Sequence, residues 1–225
     1  MCFLPCRSGS ERVRDKNVKP FAHYKFGLFE KKIATLLNVP EIDKLIVSTN
    51  DIIIIKYISN LNNGKISLDL RPEVLCSSNT KTDDLIKHAF RLIGSNDTLL
   101  WTHVTSPFLE REDYSNCISL FRANVDFDSL VTVTPRKSYF WMNGKPVNYN
   151  RDIERWPNTQ KLFPLYEVNS GMFITEKKTF ELTNDRIGLN PYFCEIDSIK
   201  GMDIDWPEDF LIAECLEKVR YEKFI

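Results

Sequence analysis

Two short stretches carry most of this chain's potential chemistry. The first runs Cys6-Arg-Ser-Gly-Ser-Glu-Arg-Val-Arg-Asp-Lys-Asn17 and gathers Arg7, Arg12, Arg14 and Lys16 around small hydroxyl residues and Gly9. Backbone N–H groups near a glycine can approach phosphate oxygens closely, and guanidinium and ammonium groups neutralise charge on a departing pyrophosphate. A triphosphate suits this loop; a solvated basic loop is the plain alternative. The second stretch is Asp203-Ile-Asp205-Trp-Pro-Glu-Asp209. On an extended backbone residues i and i+2 share a face, so Asp203 and Asp205 present their carboxylates together while Ile204 points to the core. Two hard oxygen ligands suit Mg²⁺, which takes few carboxylates and completes its shell with phosphates and water. The competing role, capping the helix that begins at Pro207, fits Glu208 and Asp209 better than it fits Asp203.

These stretches need a scaffold, and the hydropathy pattern supplies one. Cys2 to Pro5 reads as a short strand, and Phe26, Leu28, Phe29, Ile33, Leu36 and Leu37 repeat at helical spacing. Lys44 to Ser48 predicts a buried strand, followed by a helix to about Leu61 capped from Thr49, Asn50 or Asp51, then a strand at Ile66 to Leu70. A helix over Thr82 to Ile93, capped by Thr82 or Asp83, precedes a strand at Thr98 to His103. Helix Glu110 to Phe121 and strand Ser129 to Thr134 continue the alternation. Strands are expected again at Asn169 to Thr175, Tyr192 to Ile196 and Gly201 to Asp205, and a last helix at Pro207 to about Val219. This rhythm predicts an α/β fold, a mainly parallel twisted sheet with helices on both faces, whose ligands sit at the carboxyl ends of the strands. Residues 135 to 168 break the pattern with Pro, Asn and aromatic residues. So long a stretch is read as a lid or a subunit-contact arm inserted in a single domain spanning residues 1–225.

Composition narrows the partners. Lys and Arg number 30 against 31 Asp and Glu, a net charge of −1 that gives no global grip on nucleic acid or anionic membrane. No apolar run approaches the roughly 18 residues of a spanning helix, and charges from Arg7 to Lys16 interrupt any secretory h-region. The expected location is the cytoplasm, with the 6 scattered cysteines reduced. The 8 glycines match no dinucleotide fingerprint, Walker loop or hydrolase elbow.

Taken in order along nearly the whole chain, Leu4-Pro-Cys-Arg-Ser-Gly-Ser-Glu-Arg12 with Lys16-Asn17, Val47-Ser-Thr-Asn-Asp51, Leu70-Arg-Pro-Glu-Val-Leu75, Thr105-Ser-Pro107, Gln160 with Pro164-Leu-Tyr-Glu-Val-Asn169, and Asp203-Ile-Asp205 resemble the CMP-sialic acid synthetases, the acylneuraminate cytidylyltransferases. The CMP-KDO synthetases share the first loop but fit the middle segments less well. The resemblance implies a Rossmann-like nucleotidyltransferase fold and a reaction of CTP with a sialic-acid-type 2-keto acid sugar, giving a CMP-sugar and pyrophosphate, with Mg²⁺ as cofactor. By the same resemblance Arg7, Ser10 and Lys16 hold the CTP phosphates, helped by Arg12 and Asn17 of the same loop. Pro5, Cys6, Arg71, Thr80 and Thr82 surround the cytidine, and Asp203 and Asp205 bind the metal. Lys16, Arg7 and Asp205 form the implied catalytic set; His103, Thr105, Ser106, Gln160 and Asn169 face the sugar. A homodimer is implied too, with Arg151, Arg155 and Gln160 of the arm acting in the partner's site. The sequence departs from the family pattern where the sugar should bind: His103 and Val104 replace a glutamine and a proline, Asn169-Ser-Gly171 replaces Asn-Gly-Ala, and Asn158 replaces an arginine. His103 is either a sugar ligand or a satisfied histidine ending a buried strand. Two other readings stay open: a relative using KDO or another acidic acceptor, and an idle nucleotide-binding protein that keeps only the fold.

Overall fold

The computed structural model describes residues 1–123 and 125–222. In chain order the elements are β1 (Cys2–Pro5), α1 (Gly27–Leu37), β2 (Leu45–Thr49), α2 (Ile52–Leu61), β3 (Ile66–Leu70), α3 (Thr82–Arg91), β4 (Thr98–Trp101) and α4 (Arg111–Ala123). They continue with β5 (Ser129–Arg136), β6 (Trp141–Met142), β7 (Lys145–Pro146), β8 (Leu165–Glu176), α5 (Lys177–Thr183), β9 (Pro191–Glu195) and α6 (Pro207–Glu222). Seven strands form one sheet in the order β3-β2-β1-β4-β8-β5-β9. All its pairings are parallel except the two made by β8, which runs antiparallel to both neighbours.

Alternation along the strands sorts the helices into layers. Cys2, Leu4, Leu45, Val47, Leu100, Leu130, Met172 and Ile174 point to the face covered by α1, α2, α4 and α6. Their neighbours Phe3, Ile46, Leu99, Trp101, Val131 and Phe173 point to the other face, under α3, with Phe180 of α5 packed alongside. β1 and β2 are buried on both sides, which is why they read as continuous apolar runs rather than half-polar ones.

The ends of the elements differ from expectation where local chemistry decides. Asp51 caps α2 as its side chain accepts from the Ile53 N–H. α3 starts differently: its N-cap is Lys81, and neither Thr82 nor Asp83 caps it. The expected strand at Gly201 to Asp205 is not in the sheet. Residues 198–201 form a turn, and Ile204 ties the segment to neighbouring loops, its N–H donating to the Thr105 carbonyl at 2.8 Å and its carbonyl accepting from Lys16.

β8 carries a feature the alternation pattern hides. Val131 pairs with Phe173 and Val133 with Val168, so Thr132 alone on β5 faces the whole of 169–172 on β8. Ser170, at φ +57°, turns the chain within this bulge. Of the arm, residues 135–136 and 165–168 prolong β5 and β8; between them lie the β6–β7 ribbon, turning at Asn143 and Gly144 with positive φ, and a 3₁₀ turn at Thr159–Lys161. Asn148, buried, joins the two ends of the arm through bonds to the Ser138 and Phe163 carbonyls and the Phe140 N–H.

At Gly27 the phosphate-loop segment meets α1 with φ +66°, and a Cβ there would stand 2.1 Å from the Lys19 carbonyl oxygen. Gly27→Ala is expected to destabilise the protein by about 2 kcal/mol or more, since both backbone strain and a clash against backbone must be relieved. A denaturant midpoint equal to the parent's would contradict this.

Candidate active site

A cleft of about 300 Å³ opens at the carboxyl ends of β1 and β4. Pro5, Arg7, Ser10, Arg12, Lys16 and Asn17 from the first loop line one side, and Arg71, Thr80 and Thr82 line another. His103 and Thr105 from the loop after β4, together with Asp205, close the remainder. Residues far apart in the chain thus converge where α/β sheets place ligands.

The basic loop is shaped by its own hydrogen bonds. Arg7 Nη1 donates to the carbonyls of Ser8 and Gly9 at 3.2 and 2.8 Å, folding the guanidinium back over a turn where Gly9 has φ +75°. Asn17 Nδ2 donates to the Arg7 carbonyl at 3.0 Å, so this amide braces the loop that it was expected to share with the ligand. Asn50 accepts from the Ser8 N–H and hydroxyl, anchoring the loop to the end of β2. Arg71 is 6% exposed, and its Nε and Nη2 donate to the hydroxyl and carbonyl of Ser48 at 3.1 and 2.7 Å. Burial pulls its pKa down, yet a guanidinium stays charged throughout the working range. The start of α3 faces the cleft without a side-chain cap, leaving first-turn N–H groups for an anionic ligand.

The two acids occupy different settings. Asp203 is largely buried; burial raises its pKa, the Thr105 hydrogen bond opposes this, and the nearby Asp205 charge adds to it. Its Oδ1 is buried with no partner among the described residues. Asp205 is half exposed and meets two cations, Lys16 Nζ at 3.5 Å from Oδ1 and Arg12 Nη1 at 3.5 Å from Oδ2. Arg12 also lies over the Trp206 ring at 4.9 Å. Lys16 Nζ donates to the Ile204 carbonyl at 2.6 Å, between the two acids. Asp209 accepts from the Asp205 and Trp206 N–H groups and so caps α6, as its position before the helix interior requires. No group of three or more His, Cys, Asp or Glu side chains among the described residues could hold a metal alone. Two carboxylates, one with an orphaned buried oxygen, nevertheless fit a hard divalent cation that draws its other ligands from phosphate and water.

Five of the expected site residues do not line the cleft, Asp203 behind Thr105 and four others. The Cys6 side chain is fully buried in the core and its thiol is pushed up by that burial; its carbonyl accepts from Thr49 Oγ1. Ser106 is also fully buried and outside the cleft, with its carbonyl accepting from Lys32 Nζ at 2.6 Å. Asn169 lies in the β8 bulge, where Oδ1 accepts from the Thr132 hydroxyl and the Gly171 N–H while Nδ2 donates to Thr134 Oγ1. Its amide is spent on the scaffold. Gln160 is exposed on the arm and does not line this chain's cleft.

His103 lines the cleft, but both ring nitrogens are engaged. Trp101 Nε1–H donates to Nε2 at 2.8 Å, so that nitrogen carries a lone pair, and Nδ1–H must donate to the Ser170 carbonyl at 3.0 Å. Its role is therefore a wall held by the bulge, and the hydrogen bond to a sugar expected of it has no free nitrogen. Arg186 stands close by, 3.6 Å over the Phe173 ring and 4.9 Å from that of Trp101, with Nη1 buried and unpartnered among the described residues. Burial first, then the Arg186 charge, lowers the His103 pKa to about 4. Sequence reasoning also missed Lys32. Its ammonium donates to Ser106 O and, at 2.7 Å, to Tyr114 Oη. Tyr114 then donates to Thr102 Oγ1, which donates to the Gly171 carbonyl, so one directed chain joins α1, α4, the end of β4 and the bulge. Burial lowers the Lys32 pKa to about 7. A lysine at a helical core position was the available signal.

Residues 1–222 match the cytidylyltransferase family profile. The chain belongs to the cytidylyltransferase family. Similar proteins include the N-acylneuraminate cytidylyltransferase of Escherichia coli O18:K1:H7 (strain RS218 / NMEC), 23% identical over 97% of this chain and 52% of that protein. That of Streptococcus agalactiae serotype III (strain NEM316) is 24% identical over 94% of this chain and 51% of its own length. This cytidylyltransferase chain thus spans about half the length of the curated relatives it matches. Among solved structures, CMP:2-keto-3-deoxy-manno-octonic acid synthetase complexed with CTP superposes with a TM-score of 0.66 at 14% identity, covering 97% of this chain and 98% of that one. The 4-diphosphocytidyl-2C-methyl-D-erythritol synthase of Anaerococcus prevotii DSM 20548 gives 0.69 at 16% identity, covering 96% and 95%. At such identities the likeness is one of fold. No helix among the described residues of this cytidylyltransferase is long and apolar enough to cross a membrane.

Because the folded His103 titrates near 4, against an ordinary 6.5, the unfolded chain binds more protons between those values. The stability that neutral His103 contributes is therefore complete above about pH 6.5 and is lost as the pH falls toward 4. Denaturation midpoints followed over this window should fall with acid more steeply in the parent than in His103→Gln; equal slopes would place the imidazole in an ordinary environment.

Proposed function

We propose that this chain transfers CMP from CTP to the anomeric hydroxyl of an acidic 2-keto sugar of the nonulosonic type, releasing pyrophosphate. The observation that carries this reading is the convergence in one cleft of the basic loop, Arg71 and Asp205, with Asp203 set behind the lining residue Thr105, to which it is hydrogen-bonded. Family membership adds the cytidylyl donor, and the names of the curated relatives add the acceptor class.

In this reading the first loop binds the triphosphate through Ser10, Lys16 and the backbone near Gly9, with Arg7 setting the loop's shape and adding charge. Arg71, fixed on Ser48, forms the cytidine side with Pro5, Thr80 and Thr82. Asp203 and Asp205 would hold Mg²⁺, which when bound supplies a Lewis acid for the phosphate oxygens and lowers the pKa of a coordinated hydroxyl. Lys16, seated between those acids, donates to the bridging or leaving phosphate oxygens and stabilises the charge that develops there. His103 and Thr105 form the wall beside the acceptor. His103 excludes water and fixes the pocket's shape, since its nitrogens are already used. Attack in line with the departing pyrophosphate requires no covalent enzyme intermediate, only that donor and acceptor be held together.

A homodimer belongs to the same proposal. Ile153, Trp156 and Phe163 of the arm are 85%, 62% and 76% exposed, and Tyr166, Val168 and Phe193 extend the apolar surface over the adjoining strands. A second copy covering this surface is the occupant proposed, with Arg151, Arg155 and Gln160 reaching its cleft. Sedimentation equilibrium is expected to give twice the chain mass, shifting to the monomer for Phe163→Glu.

Pyrophosphate release from CTP and Mg²⁺ should occur with one acid among N-acetylneuraminate, its di-N-acyl nonulosonate relatives and KDO. Asp205→Ala is expected to lower kcat by about 10³-fold or more, with an unchanged circular dichroism spectrum. Lys16→Ala is expected to cost about 10²-fold in kcat with little change in the KM for the sugar. Activity of Asp205→Ala at the parent's rate would remove the carboxylate pair from the mechanism; activity only with KDO would move the acceptor class.

A further inference from the structure

Away from the cleft, two cysteines meet between α4 and the edge strand β9. Cys117 Sγ and Cys194 Sγ are 3.4 Å apart although 77 residues separate them in sequence. Cys117 is 4% exposed, whereas Cys194 is only partly buried. Nothing in the proposed chemistry uses either thiol. Their environments are unequal in the way a redox pair requires. Either sulfur can donate in this contact; the contact with Cys117 draws the Cys194 pKa down, against partial burial and the Asp113 and Glu195 carboxylates. For Cys117 the Cys194 contact and burial both push the pKa up. The accessible sulfur is thus the better nucleophile, and the buried one keeps its proton.

We propose that Cys117 and Cys194 form a redox modification site for peroxide-class oxidants. The Cys194 thiolate attacks the peroxide O–O bond and becomes a sulfenic acid, as the peroxide is reduced and one oxygen leaves as water. Cys117 sulfur then attacks the Cys194 sulfur, the S–O bond breaks, and the hydroxyl takes the thiol proton to leave as a second water. The product is an intramolecular disulfide, and a thiol reductant returns both sulfurs to the starting state. The sulfurs must close from 3.4 Å to the roughly 2.05 Å of a disulfide. The Lys200–Asp113 ion pair, 2.6 Å, already holds the segment after β9 against α4, so the approach does not have to drag the two elements together. Crosslinking would fix the root of the segment that carries Asp203 and Asp205, because β9 leads into it within 10 residues.

The other cysteines are built-in controls. Cys2, Cys6 and Cys76 are buried, and Cys215 is exposed on α6 with no cysteine beside it. The full chain is to be exposed to hydrogen peroxide, its remaining thiols alkylated after unfolding, and its proteolytic peptides mapped by mass. The expected result is a Cys117–Cys194 linked peptide pair, two hydrogens lighter than the reduced peptides and released by dithiothreitol. In Cys117→Ser, Cys194 should stop at a sulfenic acid that dimedone traps. The proposal is overturned if Cys194 proceeds to sulfinic acid while Cys117 stays reduced, if disulfides form only between chains through Cys215, or if both cysteines remain reduced when Cys215 is fully oxidised. The parent map needs no substitution, so a misfolded variant would not mask any of these outcomes.

Discussion

Ile204 ties the site together. Its side chain is fully buried under the sheet, its N–H donates to the Thr105 carbonyl, and its own carbonyl accepts from Lys16. One core residue therefore joins the loop after β1, the loop after β4 and the segment leading to α6. On either side of it Asp205 lines the cleft and Asp203 lies buried behind Thr105. Were that anchor apolar but loosely packed, the carboxylates would drift relative to the basic loop. An error of about 1 Å in such a placement can cost on the order of 10²-fold in rate.

The electrostatics follow from where charge is allowed to remain unneutralised. The net charge of −1 says little, because the cleft gathers five cations, Arg7, Arg12, Lys16, Arg71 and Lys81, against the single carboxylate of Asp205. Arg71 and Lys32 show the supporting pattern: both are buried, and both spend their donors on backbone or hydroxyl oxygens rather than on carboxylates. A buried cation held by neutral acceptors keeps its field, whereas one paired with a carboxylate loses it. Lys31 is the contrast, closed off by Glu217 at 2.9 Å on the far side of α1. Asp203 is the anionic counterpart of Arg71. Its orphaned oxygen costs stability in the isolated chain, a cost borne where a ligand group can complete the set.

Much of this was legible in the sequence because it rests on short-range rules. Short apolar runs placed every strand of the main sheet within a few residues, and the spacing of Asp203 and Asp205 put the buried Ile204 between them. The basic loop was equally plain, since its charges lie within one turn of chain. What stayed hidden depends on register. Nothing in Asn169-Ser-Gly171 announces that β8 bulges opposite Thr132, yet that bulge turns the Asn169 amide inward and spends it on threonines. A Ser-Gly pair inside an apolar strand was the one available hint. Likewise Cys6 and Ser106 sit beside true lining residues in sequence but point to the core, because alternation sends neighbours to opposite faces.

The bulge also explains why the acceptor end differs from the nucleotide end. In the basic loop, Arg7 and Asn17 are held by backbone of the same loop, so there motif and geometry travel together. On the acceptor side the wall is secondary to the bulge: the Ser170 carbonyl fixes the His103 tautomer, Trp101 occupies the other nitrogen, and Arg186 holds the ring neutral from behind. A neutral imidazole with both nitrogens satisfied offers an acceptor only its carbon edge. In the proposed reaction, recognition of a polar sugar would fall to groups that retain free hydrogen-bonding capacity, such as Thr105 and side chains brought by the arm of a second copy. In the proposed reaction the acceptor wall thus depends on long-range packing around one histidine, while most of the charge for the triphosphate lies in a dozen consecutive residues.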